Sequence, residues 1–284
     1  MEISGILRNF NYKKSLGQNF ITDTNLLSAI ALDSGAQKTD TVVEIGTGAG
    51  TLTRALSSVA GRVITFEVDR SLSDIHNETL AGLGNVEVHF SDVLKLSDGD
   101  IATLIGKADN VGATLCRPFL VVANLPYYIT TPLIMRFLES NLPVTSLTVM
   151  VQKEVADRLC ALPNTEDYGA IGCQVNLRAD VKSTRTVSRR MFYPSPNVDS
   201  AVVKITINKD KFKELGDFDL EKASAVIKSA FSMRRKTLVN CLSNSFKMEK
   251  ETARNLLLSL NLPETVRGEA LSIPDLIKIS RLIP

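Results

Sequence analysis

The sequence predicts an α/β fold, a doubly wound and mostly parallel sheet joined to a small C-terminal α-helical domain. Three observations carry this prediction. From residue 41, short apolar strands alternate with amphipathic helical stretches, the first strand runs into a glycine-rich turn, and after residue 220 every periodic segment is helical.

Taken in order, the first helix reads from Asp23 as N-cap, through Leu26, Leu27 and Ile30, to Gly35 as its stop. Strands follow at 41–45 and 62–66, and between them Leu52, Ala55, Leu56 and Val59 share one face of a helix. Further strands read at 86–90, 119–123 and 146–151, with a helical stretch at 72–83. Their apolar runs suit strands covered on both faces. Beyond Val151 the pattern predicts a helix over 152–161, a strand over 170–179, a proline-rich turn at 192–196 and a strand at 201–207. The charge-dense segment 209–219 reads as a linker. Leu220, Ala223, Ile227, Ala230 and Phe231 then mark a helix, Leu256, Leu257 and Leu260 another, and Ser272 caps the last, with Pro274 in its first turn. Two domains are expected, 1–207 and 208–284.

Composition narrows the function classes. A chain of 284 residues with net charge +2, 44% hydrophobic and 23% charged residues can bury a core in each of about two domains. Mean hydropathy is only +0.07, and no apolar run approaches the roughly 18 residues of a membrane span. Residues 1–11 lack the apolar stretch of a secretory signal, so a cytoplasmic protein without a membrane partner is expected. Cys116, Cys160, Cys173 and Cys241 form no Cys-x-x-Cys pair, and the histidines are His76 and His89 alone. A metal site, a disulfide framework and a Cys/His or Ser/His nucleophile are therefore not expected. From Asn208 onward 14 lysines and arginines face 10 acids, whereas 19 face 21 before it, so the basic C-terminal part leans towards an acidic partner. The chain is expected to act as a monomer.

The ligand signal begins where the first strand meets Glu44-Ile-Gly46-Thr-Gly48-Ala-Gly50. A strand, glycine turn and helix in succession bring a ligand against bare backbone amides. The same layout serves dinucleotides, and alone it also fits a tight turn with no ligand. The third glycine comes one residue too early for Gly-x-Gly-x-x-Gly, and a carboxylate at Glu44 opposes a pyrophosphate. It suits a cationic sulfonium, as in S-adenosyl-L-methionine. Twenty-one residues after Gly46, Glu67 ends the second strand, where it can accept from a ribose diol; Asp92 ends the third, where it can accept from an adenine amine.

The fourth strand ends in Asn124-Leu-Pro-Tyr127. Pro126 fixes the local backbone, so the Asn124 amide, the Leu125 carbonyl and the Tyr127 ring can converge on one point. That point suits an amine on an aromatic base. Its lone pair is delocalised into the ring, and methylation requires the two N–H groups to be held by acceptors rather than removed by a strong base. Tyr127 then stacks on the base.

Six segments occur in the order seen in the rRNA adenine N6-dimethyltransferases: Gln18-Asn-Phe20, Glu44-Ile-Gly-Thr-Gly48, Asn124-Leu-Pro-Tyr127, Glu154-Val-Ala-Asp-Arg158, the run from Phe192 to Ser200, and Phe231-Ser-Met-Arg-Arg-Lys236. The chain resembles the small-subunit branch of that family across nearly its whole length. The resemblance implies a Rossmann-like class I methyltransferase that uses S-adenosyl-L-methionine. It implies dimethylation of two adjacent adenosines in the 3′-terminal hairpin of 16S rRNA, four transfers in all, during small-subunit biogenesis. It further implies that Asn19 and Ile21 touch the methionine end of the cofactor, that Gly46 contacts it through backbone, and that Glu67 takes the ribose. Asp92 and Val93 frame the cofactor adenine, Asn124 and Tyr127 hold the target adenine, and Phe192 stacks on its other face. Ser91 departs from the glycine that relatives often carry there, which puts the local turn in question.

Two motifs are open to plainer readings. Glu154–Arg158 lies on a helix whose Val155 and Leu159 face inward, and it is either an exposed charged face or an RNA contact. Arg234, Arg235 and Lys236 follow Phe231 at a spacing that would bury Arg235, so a kink or a new helix is implied. Beside an RNA-modifying site the triplet reads as a phosphate contact, with Arg8, Lys13 and Lys14 extending it. Two rival functions share this sequence logic: a 23S rRNA adenine methylase of the macrolide-resistance type, and a ribosome-assembly factor in which methylation is secondary.

Overall fold

The five strands predicted between residues 41 and 151 join two later strands in one seven-stranded sheet. The computed structural model describes residues 19–21, 23–106, 117–233 and 235–283. The sheet consists of β2 (Thr41–Ile45), β3 (Arg62–Phe66), β4 (Val86–His89), β5 (Phe119–Asn124), β6 (Val144–Gln152), β9 (Ser200–Ile207) and β7 (Ala179–Val187). Its order is β4-β3-β2-β5-β6-β9-β7, parallel from β4 through β6 and antiparallel between β6 and β9. The chain winds outward from β2 through β3 to β4, then returns to place β5 on the other side of β2. This switch opens a crevice at the carboxyl ends of β2 and β5.

Val42, Val43, Val63, Ile64, Val121 and Val122 are fully buried on consecutive residues, as central parallel strands with both faces covered must be. Each such side chain contributes about 1.5 to 3 kcal/mol on burial. On one face α1 (Thr24–Ser34) and α2 (Thr51–Val59) bring Leu27, Ile30, Leu52 and Leu56 onto Val42, Val63 and Val122. The predicted start of α1 holds: the Asp23 carboxylate accepts from the Leu26 amide at 2.8 Å, and Gly35 ends the helix at φ +75°. A separate two-stranded sheet pairs β1 (Phe20–Ile21) with β8 (Phe192–Tyr193), setting Ile21 opposite Phe192.

The structure divides into two units, residues 1–156 with 182–207, and residues 157–181 with 208–284. The single cut expected at 207/208 therefore needs a correction, because 157–181 packs with the C-terminal helices. Tyr168, Cys173 and Leu177 share a core with Ala223, Val226 and Ile227 of α8 (Leu220–Ala230) and with residues of the later helices α9 (Leu238–Phe246), α10 (Lys250–Ser259) and α11 (Ile273–Leu282). Ser272 caps α11 in a reciprocal box with Asp275, as its sequence implied. The expected break after Phe231 is present: α8 stops at Ala230 and α9 begins at Leu238.

The strand expected at 170–179 is helical over Ala170–Asn176 (α7), following α6 (Lys153–Cys160). Gly172, Cys173, Gln174 and Val175 are all buried, so this short run carries no clean period of either kind. The Asn176 amide secures it by donating to the carbonyls of Leu159 and Gly172, at 2.8 and 2.9 Å. The strand lies next to it instead, as β7, whose polar residues mark an edge of the sheet. Three helices were not predicted: α3 is shorter than expected at Ser73–Thr79, but α4 (Asp98–Gly106), α5 (Tyr127–Leu138) and α9 are additions. Among the described residues no helix is long and apolar enough to cross a membrane.

Candidate active site

One cavity at the switch point is lined by Asn19, Ile21, Gly46, Gly48, Glu67 and Asp92, and also by Val93, Asn124, Leu125, Tyr127 and Phe192. The elements that deliver them come from six places in the sequence, and all belong to the first unit.

The glycine turn is built as its composition implied. Gly46 and Gly48 adopt φ of +82° and +53°. A Cβ on Gly46 would lie 2.6 Å from Leu125 Cδ2, and one on Gly48 2.9 Å from the Phe20 ring. Backbone geometry and close approach thus both require glycine at these positions. The turn is also tied down: the Gly46 amide donates to the Phe66 carbonyl at 2.8 Å, and the imidazole Nε2 of His76 lies 2.8 Å from the Gly48 carbonyl oxygen. Only a protonated Nε2 can donate there, which fixes the tautomer. The ring, 6% exposed, stacks on Phe90.

Glu67 is buried at the end of β3. Its Oε2 accepts from the Gly48 amide at 2.9 Å, and its Oε1 accepts from the amides of Val68 and Asp69, both at 2.8 Å. Three of about four acceptor positions are therefore taken by backbone. One remains for a sugar hydroxyl, and a bidentate grip on a diol requires one amide to let go. Asp92 caps a short turn through the Leu94 amide at 3.1 Å, with Lys95 Nζ 3.4 Å from its other oxygen. Ser91 does not carry a positive φ, so the turn there makes no demand for glycine. Val93, 3% exposed, forms part of the apolar wall.

Glu44 needs a correction. Neighbouring strand residues face opposite sides. Ile45 reaches the cavity, whereas Glu44 points towards α2, where its Oε2 accepts from Thr53 Oγ1 at 2.6 Å. It is fully buried, and burial pushes its carboxyl up to about 8, with the Thr53 and Thr65 hydroxyls pulling the other way. At neutral pH the group is largely protonated and supplies little of the charge expected to favour a sulfonium.

At the end of β5, Asn124 is half-buried and Leu125 nearly buried, and Tyr127 opens α5 behind Pro126. The Tyr127 hydroxyl lies 2.8 Å from Ser200 Oγ on β9, which holds the ring at the cavity edge. Burial pushes its phenol up from the ordinary value, so it stays neutral. Phe192, 6% exposed, reaches the same cavity because β8 pairs with β1. That pairing also joins Ile21 to Phe192, two positions 171 residues apart in sequence.

Sequence reasoning missed His76, Ser200 and Tyr128. Tyr128, 65% exposed, lines the mouth of the cavity. Its only signal was its place beside Tyr127. Of the remaining assignments, Glu154 and Arg158 are exposed on α6, with Ala156 and Leu159 rather than Val155 fully inward. Arg235 and Lys236 are exposed between α8 and α9, in the second unit. Arg8, Lys13, Lys14, Gln18, Cys116 and Arg234 lie outside the described residues.

Comparison with known proteins reports on the whole chain. A family model described as ribosomal RNA adenine dimethylase matches residues 9–278. Ribosomal RNA small subunit methyltransferase A of Clostridioides difficile is 41% identical over 275 residues, covering 97% of this chain and 92% of that protein. The crystal structure of a dimethyladenosine transferase from Plasmodium falciparum superposes with TM-score 0.74 at 25% identity, over 92% of this chain and 95% of that one. The 23S rRNA methyltransferase ErmE superposes with TM-score 0.68 at 22% identity, over 93% and 99%, which speaks for a shared fold.

Proposed function

Because the chain belongs to the ribosomal RNA adenine dimethylase family, we propose that it transfers methyl groups from S-adenosyl-L-methionine to N6 of two adjacent adenosines of 16S rRNA. The target adenosines lie in the 3′-terminal hairpin, and the product is N6,N6-dimethyladenosine, formed in the cytoplasm as the small subunit is built. The observation that carries this reading is the meeting of Asn124, Leu125, Tyr127 and Phe192 with the glycine turn, Glu67 and Asp92 around one cavity.

The cavity fits the cofactor by the chemistry of its groups. Glu67 and Asp92 offer acceptors to ribose and adenine, and Phe20, Ile21, Val93 and Leu94 form apolar walls. Gly46 and Gly48, which carry no side chain, line the cavity with Asn19 and leave room for the methionine end. When bound, S-adenosyl-L-methionine supplies an electrophilic methyl group on a sulfonium.

The chain's own residues do the rest. Tyr127 and Phe192 sandwich the flipped adenine, a stacking contribution of about 1 to 3 kcal/mol per ring. The Asn124 side-chain oxygen and the Leu125 carbonyl accept the two N6–H bonds. Holding both hydrogens draws the amino group out of conjugation, so its lone pair is free to attack. Once the methyl is attached, N6 sheds one of its two protons to solvent; one N–H remains, and the same acceptors hold it for the second transfer. Positioning rather than a strong base therefore carries the step. In the second unit, Arg234, Arg235 and Lys236 supply backbone contacts to the RNA.

The test is transfer of tritiated methyl from S-adenosyl-L-methionine to unmodified 30S particles, with 50S particles as control and nucleoside analysis of the product. Labelled dimethyladenosine from 30S alone is expected. Label from 50S alone, or from neither, overturns the assignment.

A further inference from the structure

The rings of Phe192, Tyr127 and Tyr128 line the active-site cavity at three levels of burial. Phe192 is 6% exposed, Tyr127 is half-buried, and Tyr128 at the mouth is 65% exposed. The flipped adenine takes the inner two. Tyr128 has no part in that reading.

The fold does not account for Tyr128 either. Tyr127 bonds to Ser200, whereas among the described residues the Tyr128 hydroxyl has no hydrogen-bond partner and its ring stacks on no other ring. It is the second residue of α5, a position where tyrosine is a middling helix former. A solitary exposed aromatic is ordinary on a protein surface, so its place carries the inference. Tyr128 directly follows Tyr127 in the first turn of α5, which sets both rings on one rim of the cavity.

What reaches that rim follows from the substrate. A base that leaves its stack stays tied to its neighbour by the sugar–phosphate backbone, so adenine between Tyr127 and Phe192 leaves the next base one nucleotide step away, at the mouth. Flipping also strips that neighbour of a stacking partner. An exposed ring with an open face replaces it, and does so for any base because every base has a π-face.

We propose that Tyr128 is the stacking platform for the nucleobase next to the flipped adenine. The proposal rests on the reading of the chain as a dimethyltransferase of two adjacent adenosines. For one of the two targets the platform then holds the other adenosine.

The full chain is compared with Tyr128→Phe and Tyr128→Ala. Tyr128 is exposed and alanine favours a helix, so both variants are expected to keep wild-type thermal stability. Methyl transfer is measured on unmodified 30S particles and on particles with either adenosine of the pair replaced by uridine, alongside affinity for S-adenosyl-L-methionine. Stacking on a base outside the reacting centre is uniform binding, which acts on KM. Tyr128→Ala is expected to raise KM for 30S particles about 5- to 150-fold, with kcat within about twofold and cofactor affinity unchanged. Tyr128→Phe keeps the ring and should match wild type. In one of the two uridine particles the penalty of Tyr128→Ala should shrink, because uracil offers a smaller face to the ring. If wild-type protein methylates 30S particles and Tyr128→Ala matches its KM, the platform falls while the methylation reading stands. A loss of cofactor affinity in Tyr128→Ala overturns the proposal, since the ring then serves the cofactor. A KM for Tyr128→Phe as high as for Tyr128→Ala, or an equal penalty on all three particles, overturns it as well. If wild-type protein labels no 30S particles, both readings fall together.

Discussion

The backbone amide of Gly48 donates to Oε2 of Glu67 at 2.9 Å, so the glycine turn after β2 and the acid that ends β3 form one unit. Glu67→Ala removes the partner of three backbone amides as well as the acceptor proposed for the ribose. Cofactor affinity should fall by roughly 10- to 100-fold, as charge-assisted bonds contribute about 1.5 to 3 kcal/mol. Equilibrium dialysis giving the wild-type constant would remove Glu67 from the site.

Asn124→Ala is expected to leave cofactor affinity near normal and to lower kcat for methyl transfer by about 100-fold or more, as removal of one positioned polar group does. Single-turnover kinetics on 30S particles checks this. Unchanged turnover rejects its role at the amino group.

His76 acts through Gly48. His76→Phe keeps a ring against Phe90 but loses the bond to the Gly48 carbonyl. One neutral hydrogen bond, about 0.5 to 1.5 kcal/mol, predicts a 2- to 12-fold rise in KM for S-adenosyl-L-methionine, with kcat held within about twofold. A change confined to kcat contradicts this role.

Glu44 makes stability depend on pH. Its folded carboxyl sits near 8, above an ordinary unfolded value of about 4.3, so the folded chain holds the proton that the unfolded chain has lost. The associated stability is fully present below about pH 4.3 and is lost as pH rises towards 8, by at most about 1.4 kcal/mol per unit. Glu44→Gln should flatten that decline in urea unfolding between pH 5 and 8. Parallel pH profiles for both proteins reject the assignment.

The edge of the sheet is pinned by an ion pair of opposite pH sense. Arg185 on β7 meets the Asp33 carboxylate of α1 through Nε at 2.6 Å and Nη2 at 2.7 Å, and Thr184 Oγ1 donates to it at 2.7 Å. The Arg185 hydrogen bonds hold the Asp33 carboxyl below its usual range. Its contribution is present above about pH 3.9 and is lost as pH falls through the lowered folded value. Arg185→Gln should cost about 1 kcal/mol at pH 7 and less at pH 3, read from urea unfolding. An equal cost at both values would show that packing, not charge, carries the contact.

Much of this was legible in the sequence because it depends on neighbours. The strands at β2, β3, β5 and β6, the Asp23 and Ser272 caps and the glycine turn all follow from spacing within a few residues. The helix at 170–176 was not legible, since a short run buried on every side has no period to read. Nor was the side of the sheet that Glu44 faces. The motif placed it beside the turn, and strand alternation carried its side chain away from the cavity, to Thr53.

By itself the sequence determined the α/β class, the family, and that Glu67, Asp92 and Asn124 end successive strands, because chemistry and order along the chain are local properties. Only the tertiary structure decided that Ile21 pairs with Phe192, that His76 reaches the Gly48 carbonyl and that Tyr127 meets Ser200. It also decided that residues 157–181 join the C-terminal helices. Each of these joins residues far apart in sequence through a partner that no periodicity announces, and the register and burial of the packed chain select it.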